Sequence, residues 1–296
     1  MKSVHKYLRA VGFSKVKNSK DMHEVIMNIL ENADHRDYIS DGSDDTLLAE
    51  FKKEYAEHIG VVVCGEFDED DKFSFEYCYP YLTGENITSM EDITIEPHAD
   101  KESYAGVCDE PKVGVSLVFY LQNRIPYIRL REGGQLPVRG TTLNLSGLSI
   151  QGMILLPIQK NEEEMEKAQK EVQNRTKLIA QARAGNENAI ETLTLEDMDT
   201  YNTISKRIRR EDVMSLVDTY FMPYGVECDQ YSILGEIKDC HLEVNRVTNE
   251  EIYVMTIESN ELTFDICINK IDLYGEPAVG RRFKGVVWLQ GFVNYP

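Results

Sequence analysis

Apolar positions along this chain follow two rhythms, and the switch between them organises the reading. Val4, Tyr7, Leu8 and Val11 recur at the spacing of an amphipathic helix, and Gly12 stands where a left-handed cap closes one. A short strand is expected over residues 13–16. Ser19 or Asp21 can cap a second helix, whose apolar stripe is Met22, Val25, Ile26, Ile29, Leu30 and Ala33. After the polar loop 41–45, Leu47, Leu48, Phe51 and Tyr55 predict a third helix ending near His58. From His58 the period drops to two. Residues 59–67 and 73–81 read as a hairpin around the turn 68–71, with Phe73, Phe75, Tyr77 and Tyr79 on one face. Further strands are expected at 93–97, 104–108, 113–122, 127–130, 141–145 and 149–157, several bounded by Gly or Pro.

Helical spacing then returns. Asn161 opens a long helix with Glu162, Glu163 and Glu164 in its first turn, favourable to the positive end of the helix dipole, and Gly185 closes it. Thr194 with Asp197 has the pattern of a capping box for the next helix, and another is expected over 211–220, stopped by Pro223 and Gly225. From Gly225 onward strands dominate, at 232–244, 252–258, 262–268 and 283–293. Leu262, Phe264, Ile266 and Ile268 alternate with Thr263, Asp265, Cys267 and Asn269, as in a small, partly closed barrel with one side in the core. The expected class is α+β: a mixed α+β domain over 1–157, a helical bridge over 158–222 and a small β-barrel over 223–296.

Composition narrows the function classes. With 296 residues the chain is long enough for a substantial core. Its net charge of −19 repels phosphate backbones and anionic lipid surfaces at long range. Residues 223–296 hold six Lys and Arg against twelve Asp and Glu, so the expected barrel lacks the basic face of a nucleic-acid binder. No apolar run approaches the ~20 residues that span a bilayer. His5, Lys6 and Arg9 interrupt any secretory signal at the start. Six cysteines at wide, irregular spacings read as reduced thiols, which makes the cytoplasm the expected compartment.

Candidate chemistry is sparse. Gly280-Arg281-Arg282-Phe283-Lys284-Gly285 puts three cations between two glycines, and guanidinium forks with glycine-freed amides suit carboxylate or phosphate oxygens. The plainer reading is a β-turn whose cations pair with nearby acids such as Asp272 and Glu276. The run lacks the Lys-Ser/Thr ending of a phosphate-binding P-loop. His98, with Asp100, Glu102, Tyr104 and Cys108 close in sequence, is the most enzyme-like patch, since neighbouring carboxylates raise an imidazole's pKa. Residues 68–71 lack the spacing of a calcium loop, and Cys228, Cys240 and His241 lack a paired Cys-x-x-Cys, so no metal or cofactor is expected. Arg207, Arg209 and Arg210 beside Glu211 and Asp212 suggest local pairing.

The opening 5–13, the segment 98–108, and the stretches 221–229 and 275–291 together resemble a bacterial family known only as a domain of unknown function, found in anaerobic Gram-positive bacteria. The resemblance implies a bacterial, cytosolic protein and carries no activity, cofactor or site residues. The favoured reading is a non-enzymatic binding or scaffolding protein that uses the barrel to contact an unknown protein. The alternatives are an enzyme acting on a small anionic metabolite, held by Arg281, Arg282 and Lys284 near His98, and single-strand nucleic-acid binding by the barrel.

Overall fold

A computed structural model describes residues 4–40, 47–97, 103–158, 170, 174–175, 177–207 and 217–296, with backbone alone at 199–207. The amphipathic opening forms a 3-10 helix, Lys6–Val11, closed by Gly12 at φ 85°. Residues 13–16 make a turn in place of the expected strand, because Glu250 accepts hydrogen bonds from both Ser14 N and Ser14 Oγ. Helix α1 (Ser19–Asn32) starts one residue earlier than expected, on Asn18, whose side chain accepts from the amides of Lys20 and Asp21.

The largest departure comes next. Residues 47–56 form a strand in place of the third helix, and an unforeseen strand precedes them. β1 (His35–Ser40), β2 (Leu47–Ala56), β3 (Ile59–Phe67) and β4 (Phe73–Leu82) make an antiparallel sheet in that order. Leu48, Ala49, Glu50 and Phe51 are buried in succession, so β2 is covered on both faces and its period of two is hidden. α1 lies over one face: Lys53 Nζ donates to Asn32 O at 2.7 Å and Arg36 to Leu30 O at 3.3 Å. At the tip of the β3–β4 hairpin, Asp68 Oδ1 accepts the amides of Asp70 and Lys72.

The second sheet begins with β5 (Ile93–Pro97), β6 (Tyr104–Glu110) and β7 (Val115–Leu121). Residues 127–130, expected as a strand, belong instead to helix α2 (Arg124–Glu132), which buries Ile125 and Ile128 at helical spacing. The two strands expected over 141–157 are one, β8 (Thr142–Leu155). Helical residues 177–183 (α3) end at Gly185, at φ 85°. α4 (Glu187–Arg207) follows, capped by Asn186 Oδ1 and not by Thr194, which sits inside the helix and donates from Oγ1 to Ile190 O. Asn161 and residues 211–216 lie outside the described residues.

β9 (Tyr220–Pro223), β10 (Gln230–Val244), β11 (Glu251–Ser259), β12 (Leu262–Asn269), β13 (Leu273–Tyr274) and β14 (Arg282–Asn294) complete the sheet. Five of its strands close on themselves. β8 runs parallel to β12, β12 pairs with β11, β11 with β10, β10 with β14, and β14 returns antiparallel to β8. The fifth stave thus comes from far upstream, and one sheet runs across residues 157/158 and 222/223. Inside, Phe283 fits because Gly152 and Gly285 have no side chain: a Cβ on either would stand 2.4 Å or 2.6 Å from its ring. Asn245 clamps the opening segment to the barrel, donating to Val11 O and accepting from the amides of Val247 and Thr248.

Candidate ligand-binding cavity

The four-stranded sheet presents rows of side chains on the face opposite α1. Directly opposed residues share a face, so the register aligns His35, Lys52, Val62 and Tyr79 in one row and Asp37, Glu50, Cys64 and Tyr77 in the next. Such a face would ordinarily be apolar where it is covered. Here β1 and β2 put four ionisable groups on it.

Over these rows lies a cavity of about 240 Å3, lined by His35, Asp37, Glu50 and Lys52, by Val62, Tyr79 and Tyr81, and on the far side by Gln122, Asn123, Pro126 and Phe292. His35 and Asp37 are exposed at its rim, Lys52 is half-buried, and Glu50 is 8% exposed. Arg124, in the first turn of α2, comes down on Glu50 with Nε 2.5 Å from Oε1, and its guanidinium lies 5.4 Å from the centre of the Tyr77 ring. Burial pushes the Glu50 carboxyl above its ordinary pKa against the pull of Arg124. The Cys64 thiol, 3.9 Å from Glu50 Oε1, is raised by burial and is no nucleophile.

The amides in the wall are committed to the fold. Gln122 Nε2 donates to Leu82 O and to Gln290 Oε1, both at 2.8 Å. Asn123 donates to Val293 O and accepts from Val293 N, so α2 begins without a side-chain cap. Lys52 differs. Among the described residues its ammonium makes no hydrogen bond or ion pair, and it rests 4.2 Å from the centre of the Tyr81 ring. Burial lowers its pKa, while Glu54, Glu50 and Asp37 act in the opposite sense.

The residues singled out from sequence lie elsewhere. Arg281 donates from Nη1 to Glu276 O at 2.6 Å. Arg282, 8% exposed, donates to Leu156 O at 3.1 Å and Val217 O at 2.9 Å, and burial lowers its pKa. Lys284 is half-buried on β14 opposite Leu234 and Met153. Gly280 has φ 82°, and Gly285 makes room for Phe283. None of these residues lines the cavity. Of the two acids expected to neutralise them, Asp272 pairs with Arg9, and Glu276 accepts from Tyr253 through its carboxylate. His98 lies outside the described residues, as do Asp100, Glu102, Arg209 and Arg210. No group of three or more His, Cys, Asp or Glu side chains among the described residues is arranged to hold a metal ion. No described helix is long and apolar enough to cross a membrane.

The fold is mixed α and β, with a closed five-stranded barrel and the charged cavity lined in part by β14 of that barrel. By sequence the chain belongs to the family described as "Domain of unknown function, E. rectale Gene description (DUF3881)", which matches residues 8–291. No curated protein and no solved structure matches it.

Proposed function

We propose that this protein binds a small polar molecule in the cavity over β1 and β2. The observation that carries the reading is Lys52: a half-buried ammonium that lines a cavity and, among the described residues, has no carboxylate within ion-pair distance. Removing a cation from water without a partner is unfavourable, and the lowered pKa expresses that deficit. A ligand with an anionic group would supply the missing partner. The uncapped start of α2 adds positive potential on the opposite wall. The cavity is smaller than the ~300 Å3 at which drug-sized sites begin, which suits a metabolite of few atoms. The reading keeps a non-enzymatic, cytosolic binding protein and moves the contact from the barrel to the cavity.

A thermal-shift screen of small acids, amines, phosphates and amino acids tests this. A ligand at a hundredfold excess over its Kd adds roughly 2.7 kcal/mol of apparent stability. Val62→Phe, which projects a ring from the cavity floor, should abolish that gain while near-UV circular dichroism stays native. An equal shift in the variant, or no shift with any compound, overturns the proposal.

A second reading, protein contact through the barrel, is supported by Ile271, Tyr274 and Val279, which are 67%, 80% and 64% exposed at or near the two-residue strand β13.

A further inference from the structure

Two charges of opposite sign line the cavity without an ion pair among the described residues. Asp37 stands opposite Glu50, and Lys52 lies two residues along from Glu50, so Asp37 and Lys52 are diagonal neighbours on one face. Such neighbours are roughly 7–8 Å apart at the backbone. Both line the cavity, yet they do not pair with each other, and Asp37, like Lys52, makes no hydrogen bond or ion pair among the described residues. Glu50, between them along the row, is already held by Arg124.

We infer that the cavity recognises a zwitterion: a small molecule whose anionic group meets the Lys52 ammonium and whose cationic group meets the Asp37 carboxylate at the rim. This rests on the cavity being the ligand site and names the ligand's chemistry. A simple anion would satisfy Lys52 but would be pushed off by Asp37 and would add to the charge of Glu50. A simple amine would have the opposite fault. A molecule carrying both charges meets each wall with its complement, and nothing else in the cavity has to change. A ligand whose two charges are several bonds apart, as in an ω-amino acid, suits two side chains that start roughly 7–8 Å apart at the backbone. His35 shares a rung with Lys52 and also lines the cavity, a second nitrogen donor on the same side.

Isothermal titration of the full chain with four probes tests the inference: 5-aminovalerate, glycine, pentanoate and butylamine. 5-Aminovalerate should bind at least tenfold more tightly than each of the others. Asp37→Asn, at an exposed position, should weaken 5-aminovalerate by tenfold or more and leave pentanoate unchanged or improved. Lys52→Gln should weaken both 5-aminovalerate and pentanoate, and Lys52→Arg should restore part of the loss. Pentanoate binding as tightly as 5-aminovalerate, or indifference of 5-aminovalerate to Asp37→Asn, overturns the zwitterion while leaving the cavity as a site. Failure of all four probes also overturns it, and the Val62→Phe comparison in the thermal screen then decides whether the cavity binds anything.

Discussion

Removing the Glu50 carboxylate should damage this fold more than any other single truncation on the cavity floor. The side chains of Glu50 and Arg124 are 10% and 3% exposed, and their contact is 2.5 Å. Glu50→Ala removes the carboxylate that Arg124 Nε faces in the interior, and the guanidinium, which cannot lose its proton, keeps its contact with the Tyr77 ring in exchange for a lost buried ion pair. Breaking one side of such a buried pair costs about 3–5 kcal/mol. Arg124→Met is the informative counterpart. The carboxyl it strands is already raised by burial and can escape by taking a proton. A carboxyl whose folded pKa lies above its unfolded value contributes stability below the unfolded value and loses it as pH rises through the folded one. Arg124→Met should therefore be the milder change at acid pH and should worsen toward neutrality, while Glu50→Ala stays severe throughout. Replacing both, as Glu50→Leu with Arg124→Met, should cost less than the two singles together, because no charge is left buried. Urea unfolding followed by circular dichroism at several pH values measures all four proteins. A loss below about 1 kcal/mol for Glu50→Ala, or strict additivity in the double variant, would refute the reasoning.

Three other outcomes follow from the same geometry. Gly285→Ala should lower the urea midpoint by the equivalent of about 1–3 kcal/mol, since its methyl would meet the Phe283 ring, and Phe283→Leu in the same chain should recover part of that. Asn245→Ala should cost about 1–3 kcal/mol and speed amide exchange in the Lys6–Val11 turn, because it frees Val11 O and two loop amides at once. Lys52→Met should stabilise the ligand-free protein at neutral pH. The lysine's folded pKa is lowered, so its share of stability is present above the unfolded value and lost as pH falls through the folded one. The advantage of the methionine variant should accordingly shrink as pH climbs through the alkaline range in chemical denaturation, and a constant advantage would contradict the burial argument.

Strands rich in β-branched and aromatic residues were legible, as was the amphipathic helix α1. Alternation located the β3–β4 hairpin and the barrel strands β10, β11, β12 and β14 to within a few residues, and the stripe on α1 packs on the core from Met22 to Ala33. β2 was not legible, because Leu47, Leu48, Phe51 and Tyr55 fall at spacings that also fit a helix and the residues between them are mostly charged. The cavity floor was hidden with it. Glu50 and Lys52 read as the polar side of a helix, and their partners His35 and Asp37 sit in a strand with too few apolar residues to announce itself. The available signal was two charges at alternate positions between apolar neighbours, which in a strand place both on one face. The Arg281–Lys284 run is dense in charge, and charge density does not reveal that the Arg282 guanidinium donates to two carbonyls. Closure of the barrel by β8 depends on a parallel partnership between distant segments that no local pattern encodes.

That borrowed stave has a consequence for how the molecule is made. During synthesis β8 emerges well before β10, β11 and β12, and β14 comes after all of them. Until β14 docks, β8 and β10 each carry an unsatisfied row of amides and carbonyls, a template for pairing with any neighbouring chain. A product truncated before Arg282, or residues 223–296 expressed alone, would keep such open edges permanently and should gather into aggregates where the whole chain stays monodisperse.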